Sequence, residues 1–222
     1  VIAVAAAFAL SACSSQAPIT LRLRGKAGDR STYTLQMRIT EPGATGNGGG
    51  FTSTIAYEEE CVSANDKQVV SKLTFTKAES NQPGGAAMAE LLKGQSTLVT
   101  YDARGRVLGT QGGQAVVLSN SPNSSIVLPE QPVKPGDQWE ETMTNQGRSL
   151  RISYQLEKLE SLDGRNVALI YANVKDDPEV RNEGPMKIWV DVATGRVAKS
   201  EAKLIGRSQG REFVVEVTLV RS

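Results

Sequence analysis

Histidine is absent from the 222-residue chain. That removes Ser-His-Asp and Cys-His nucleophile activation, histidine acid–base work and every histidine-containing metal site. Aromatic residues make up only 5%, with Trp139 and Trp189 the only tryptophans. A large stacking platform for sugar rings or single-stranded nucleic acid is therefore not expected. An excess of positive charge is also missing: 25 basic against 24 acidic side chains leave a formal charge of +1. A nucleic-acid binder displaces counterions with surplus cations, so no nucleic-acid partner is expected. Cysteine occurs twice, at Cys13 and Cys61. What remains is an ordinary folded composition, 39% hydrophobic and 22% charged, too apolar for disorder and long enough for one large β domain or two small ones.

The apolar run Val1–Leu10 is uncharged and too short to cross a bilayer, but it has the length of a signal-peptide core. The expectation is a signal peptide over 1–12 whose natural start lies upstream of Val1. Leu10-Ser11-Ala12-Cys13 resembles the bacterial lipobox, a leucine and two small residues before a cysteine. The resemblance implies that the Cys13 thiol receives diacylglycerol and that Cys13 becomes the mature N-terminus. Residues 13–19 then form anchor and tether, since Ser14-Ser15-Gln16-Ala17-Pro18 is short and polar. Two or three acyl chains hold a protein on a membrane stably where one does not. In diderm bacteria an Asp after the lipobox cysteine often signals inner-membrane retention. Ser14 therefore implies the periplasmic face of the outer membrane in such a cell, and the outer face of the cytoplasmic membrane in a monoderm one. With Cys13 lipidated, Cys61 has no disulfide partner and reads as a buried structural thiol.

Period-two alternation recurs along the mature chain. Tyr33, Leu35, Met37 and Ile39 alternate with polar residues, as do Phe51, Ile55, Tyr57 and Cys61, and then Val69, Leu73 and Phe75. Leu150, Ile152, Tyr154 and Leu156 repeat the pattern, followed by Met186, Ile188, Val190 and Val192 and by Phe213, Val215, Val217 and Leu219. Alternation of this kind belongs to antiparallel sheets with one wet face. One short helix is expected, Ala86–Lys93, started after Pro83-Gly84-Gly85 and stopped by Gly94. Gly43–Gly50 reads as a loop.

The chain also repeats itself in order. Gly28-Asp29 opens one half and Gly136-Asp137 the other. Each half continues with a strand pair hinged at Asn65-Asp66 or Asp163-Gly164. Each closes on a hairpin carrying Gly-Arg-Val, at Gly105-Arg106-Val107 and Gly195-Arg196-Val197. The expected layout is a first β half-unit over 20–118, a crossing segment over 119–135 and a second β half-unit over 136–222. The fold class is mainly β: antiparallel curved sheets or a half-barrel of two similar half-units, with one short helix.

Leu128-Pro129-Glu130-Gln131-Pro132-Val133-Lys134-Pro135-Gly136-Asp137-Gln138-Trp139 resembles a stretch of uncharacterised bacterial exported lipoproteins, Pro-x-x-Pro-Val-x-x-Gly-Asp-x-Trp, which leads into the second half of a β-rich domain. It implies no activity. Physically, Pro132 and Pro135 stiffen an extended crossing, Gly136-Asp137 turns the chain and Trp139 plugs the sheet. The layout is also similar to that of the periplasmic lipoprotein carriers, whose curved sheet wraps a hydrophobic cavity.

Candidate catalytic and metal sites are weak. Of Glu58-Glu59-Glu60, only Glu58 and Glu60 share a strand face. Asp176-Asp177-Pro178-Glu179 and Glu183 offer oxygens to a hard cation, but the spacing fits no calcium loop and a solvated turn is the better reading. Gly46–Gly50 lacks the ending of a phosphate-binding loop. The expectation is thus a non-catalytic cell-envelope lipoprotein with no cofactor and no metal. Its partners would be the membrane through Cys13, and either lipid or a hydrophobic segment of an envelope protein held in the curved sheet. The alternative is a structural or assembly scaffold with a filled core that acts through protein contacts. A binder predicts Leu35, Ile55, Leu73, Ile152 and Ile188 lining a gap; a scaffold predicts them packed together.

Overall fold

The structure, a computed structural model, describes residues 17–40, 50–112, 126–145, 148–175, 177, 179–208 and 210–222. Cys13 and the rest of residues 1–16, the expected loop up to residue 49, residues 119–125 of the crossing, Asp176 and Pro178 lie outside them. The chain forms β1 (Arg30–Thr40), β2 (Phe51–Ala64), β3 (Gln68–Ser80), α1 (Gly85–Leu92), β4 (Ser96–Asp102) and β5 (Val107–Gln111). It continues with β6 (Gln138–Asn145), β7 (Arg148–Leu162), β8 (Arg165–Lys175), β9 (Val180–Asn182), β10 (Met186–Asp191), β11 (Val197–Ser208) and β12 (Arg211–Arg221). The strands make one antiparallel sheet in the order β5-β4-β3-β2-β1-β12-β11-β10-β8-β7-β6, with β9 beside β11. The sheet is curved and not closed: β5 and β6 are its edges.

Register decides which face is buried. Tyr33, Leu35 and Met37 stand opposite Tyr57, Ile55 and Ser53 on one side and opposite Arg221, Leu219 and Val217 on the other. These inward residues join Phe75, Val99, Ile152, Tyr154, Leu156, Ile170, Ile188 and Leu219 in one core lying wholly between Ile19 and Leu219. Each fully buried aliphatic or aromatic side chain contributes roughly 1.5–3 kcal/mol of transfer free energy. Tyr33 stacks on Tyr57, with ring centroids 5.1 Å apart, and Trp139 stacks on Tyr154 at 5.3 Å.

Two segments without regular structure cross the end of the sheet where β1 begins. Ile19 and Val133 exchange both backbone hydrogen bonds, at 2.8 and 2.9 Å. Leu23 N–H donates to Ala103 O in the β4–β5 turn and Arg24 N–H to Thr194 O in the β10–β11 turn, each at 2.8 Å. Arg22 donates to the carbonyls of Leu21, Pro129 and Glu130, and Leu21 is fully buried beneath. The second segment, Ile126–Leu128, spans the two sheet edges. Leu128 N–H donates to Arg104 O and Trp139 Nε1 to Val127 O. Arg104 and Arg106 at the β4–β5 turn both pair with Glu141 on β6. This end of the curled sheet is plugged.

The places that suggest a repeat carry matching hydrogen bonds. Asp29 Oδ2 accepts from Lys26 N–H (2.8 Å) and Asp137 Oδ2 from Lys134 N–H (2.9 Å). The Asp29 backbone pairs with Cys61 as that of Asp137 pairs with Leu156. A bulge follows each partner, at Cys61/Ser63 and Leu156/Lys158. Asp102 and Asp191 both accept two turn N–H groups on Oδ1, each beside a bulge.

Candidate functional site

At the other end of the strands the described residues leave a gap in the packing. The ends of β1 and β3 and the start of β2 turn Met37, Ile55 and Ala78 inward, and α1 lies across them with Ala89 and Leu92 facing down. Between helix and sheet is a cavity of about 360 Å³, within the size range of small-molecule sites. Its lining is mostly apolar, with Ser53, Ser80 and Gln82 at the strand ends. Ser53 donates to Ser80 Oγ at 3.0 Å, and Gln82 N–H donates to the same oxygen at 3.2 Å.

An isolated helix of eight residues is marginal in water, so α1 depends on its seat. Gly84 at its start and Gly94 beyond its end have φ of 76° and 77°, conformations that suit glycine. Gly94 N–H donates to Phe75 O at 2.8 Å, tying the helix exit to β3. At the entry, a Cβ on Gly85 would meet Ser80 Oγ at 2.6 Å, so only glycine lets the helix approach this closely. Leu91 is 64% exposed on the outer side of the helix.

The inward positions divide between the two readings. Leu73, Ile152 and Ile188 are buried in the packed core. Ile55 lines the cavity and Leu35 is half-buried beside it. The sheet is filled toward its plugged end and hollow toward α1. A second hollow, of about 440 Å³, lies at the plugged end against Arg22–Gly25 and the turn Ala64–Asp66. Its walls are largely backbone and polar side chains, and they offer no apolar bed.

Glu58 and Glu60 share the outer face, both bridged to Arg30 at 3.4 and 3.2 Å. Sequence reasoning passed over the middle glutamate. Glu59 points inward with a side chain only 10% exposed and pairs with Arg196, itself 7% exposed. Its parity with Tyr57 and Cys61 was the available signal. Around the pair, burial pushes the phenols of Tyr33, Tyr57 and Tyr101 well above the usual tyrosine value, and the Glu59 charge adds to it. The acidic stretch is a capped turn: Asp177 accepts from the N–H groups of Glu179 and Val180, while Glu183 pairs with Lys203. Among the described residues no three metal-ligating side chains converge, and no helix is long and apolar enough to cross a membrane. Cys61 is fully buried.

Among solved structures, one of lipovitellin, described for its lipid–protein interactions, is similar at a TM-score of 0.60 and 10% identity over 90% of this chain. The fold is shared with lipovitellin. The matched part is 25% of the lipovitellin chain, so this protein spans about a quarter of that length, and such low identity shows the fold alone. A domain named for outer-membrane lipoprotein sorting from Vibrio parahaemolyticus aligns over 90% of this chain and 85% of its own at 12% identity, with a TM-score of 0.27. A LolA-superfamily protein from Nitrosomonas europaea aligns over 88% and 87% at 13% identity, with a TM-score of 0.23. Neither score carries an argument. No family model and no curated protein matches the sequence. The lipovitellin-like sheet puts the cavity on its concave face, under the one helix described.

Proposed function

We propose that this protein is a non-catalytic cell-envelope lipoprotein, anchored through lipid on Cys13, that holds a lipid or another hydrophobic segment between α1 and the curved sheet. The observation that carries the reading is the apolar cavity over Met37, Ile55 and Ala78, roofed by Ala89 and Leu92. The lipovitellin-like fold is consistent with it, and the lipobox supplies the anchor. Transfer of an apolar chain from water into such a bed releases about 0.8 kcal/mol per buried methylene, enough for useful affinity without any strong polar contact.

The test is mass spectrometry of organic extracts from an unlipidated Ser14–Ser222 chain, which keeps every residue of the described core. A defined lipid near one per protein molecule is expected, and Ala78→Phe, which fills the cavity, should remove it. A clean extract would favour the scaffold reading, to which the packed core around Ile152 and Ile188 already lends itself. The anchor is tested separately: Cys13→Ser should release the protein from the membrane fraction, and unchanged membrane association would dismiss lipidation.

A further inference from the structure

Given the binding role proposed above, on which this inference rests, the size of the cavity and the charges around it narrow its occupant. An engineered apolar cavity of roughly 150 Å³ holds one benzene, about 25 Å³ per carbon. At that density the 360 Å³ beneath α1 holds on the order of fourteen carbons, one chain of ordinary membrane length. A second chain of that length would have to lie outside this volume.

Charge narrows the head group. Among the described residues no cationic side chain lines the cavity, and the one ionisable lining group is Glu79, already paired with exposed Lys77 at 3.0 Å. Of the other charged groups here, Arg38 on β1, Glu90 on α1 and Lys93 just past the helix are exposed, while Arg30, Glu58, Glu59, Glu60 and Lys72 lie toward the plugged end, where Glu59 is held by Arg196. A carboxylate drawn into this bed would meet no counter-charge among the described lining residues, and an unpaired buried charge is strongly disfavoured. The hydroxyl pair can serve a neutral group. Ser80 Oγ accepts from Ser53 and from Gln82 N–H, which leaves its own proton to donate.

We propose that the cavity takes one unbranched acyl or alkyl chain whose first polar group is an uncharged ester or alcohol, received by Ser80, and that it discriminates against free carboxylates and two-chain lipids.

The experiment is displacement of the uncharged fluorophore N-phenyl-1-naphthylamine from the Ser14–Ser222 chain. The competitors are tetradecanol, monotetradecanoylglycerol, tetradecanoate and ditetradecanoylphosphatidylcholine. At about pH 8, where a carboxyl is ionised, the alcohol and the monoester should compete at least about tenfold better than tetradecanoate. That gap should close at about pH 4, as the acid becomes neutral. Ser80→Ala should weaken the alcohol and the monoester by a larger factor than it weakens the fluorophore. Ile55→Trp should abolish binding, with Ala78→Ile as a milder filler should the first misfold by near-ultraviolet circular dichroism. Equal competition by tetradecanoate at the higher pH, or by the two-chain lipid, overturns this proposal and leaves the binding reading standing. Failure of the fluorophore and of all four competitors to bind overturns both.

Discussion

At the scale of single residues, the Glu59–Arg196 pair is the most consequential polar contact in the core. Its partners come from β2 and from the β10–β11 turn, 137 positions apart by their numbers (196 − 59). Removing one member of a buried pair leaves the other charge without compensation and costs about 3–5 kcal/mol, whereas replacing both with apolar groups is often neutral. Glu59→Ala should therefore shift the denaturant midpoint severely, and Glu59→Leu combined with Arg196→Met should recover most of it. The surrounding tyrosines give a pH prediction. Tyr33, Tyr57, Tyr101 and Tyr154 all have raised values, chiefly through burial. The folded chain then holds these protons more tightly than the unfolded chain. Stability should be indifferent to them below the ordinary phenol value of about 10 and should fall as pH rises above it. Unfolding midpoints measured alongside tyrosinate absorbance will show whether the two changes coincide.

At the scale of elements, the N-terminal segment works as a structural part. Gly195 has φ of 67°, and a Cβ there would run into the Arg22 carbonyl and the Leu23 nitrogen. Gly195→Ala should push residues 21–24 off the β10–β11 turn and cost about 1–3 kcal/mol from backbone strain alone; accelerated proteolysis between Arg22 and Lys26 would report it. Six of the twelve described strands, β1, β2, β3, β7, β10 and β12, were legible because alternation names their inner face, and α1 because Pro83-Gly84-Gly85 and Gly94 bracket an alanine- and leucine-rich run. β8 offers no such signal. Val167, Ala168, Leu169 and Ile170 are all buried, so both faces are apolar. Its outer face is covered locally: Leu169 stands opposite Trp189, whose indole donates to Glu160 at 2.8 Å and lies under the Lys199 ammonium. The cavity was legible only in part. Alternation gives Met37 and Ile55 as inward residues but cannot say that α1 stands away from them. Only packing settles which inward positions touch.

For the molecule as a whole, we propose that the matched networks mark two half-units set head to tail along one sheet. Each Gly-Arg-Val arginine reaches the inner face of the other half's first strand, Arg106 to Glu141 on β6 and Arg196 to Tyr33 on β1. Between β11 and β1 the sheet has β12; between β5 and β6, among the described residues, it has the extended Ile126–Leu128 and the Glu141 ion pairs. That seam should be the weakest part of the girdle. Glu141→Ala leaves Arg104, 14% exposed, without its carboxylate. Hydrogen exchange should then rise first in β5, β6 and residues 126–128, with β1–β3 protected as before. Uniform loss of protection would mean that the seam is no separate unit.

The pairing of β1 with β12, from Tyr33 against Arg221 to Thr40 against Val214, has a consequence for the order of assembly. A ribosome delivers β1 long before β12, so until β12 emerges the first strand can be paired on one side only, by β2. Contacts of such high sequence separation slow folding and leave unpaired edges available to other chains. A chain lacking β12 would bare the facing edges of β1 and β11 together, so this one strand is what keeps both from other chains.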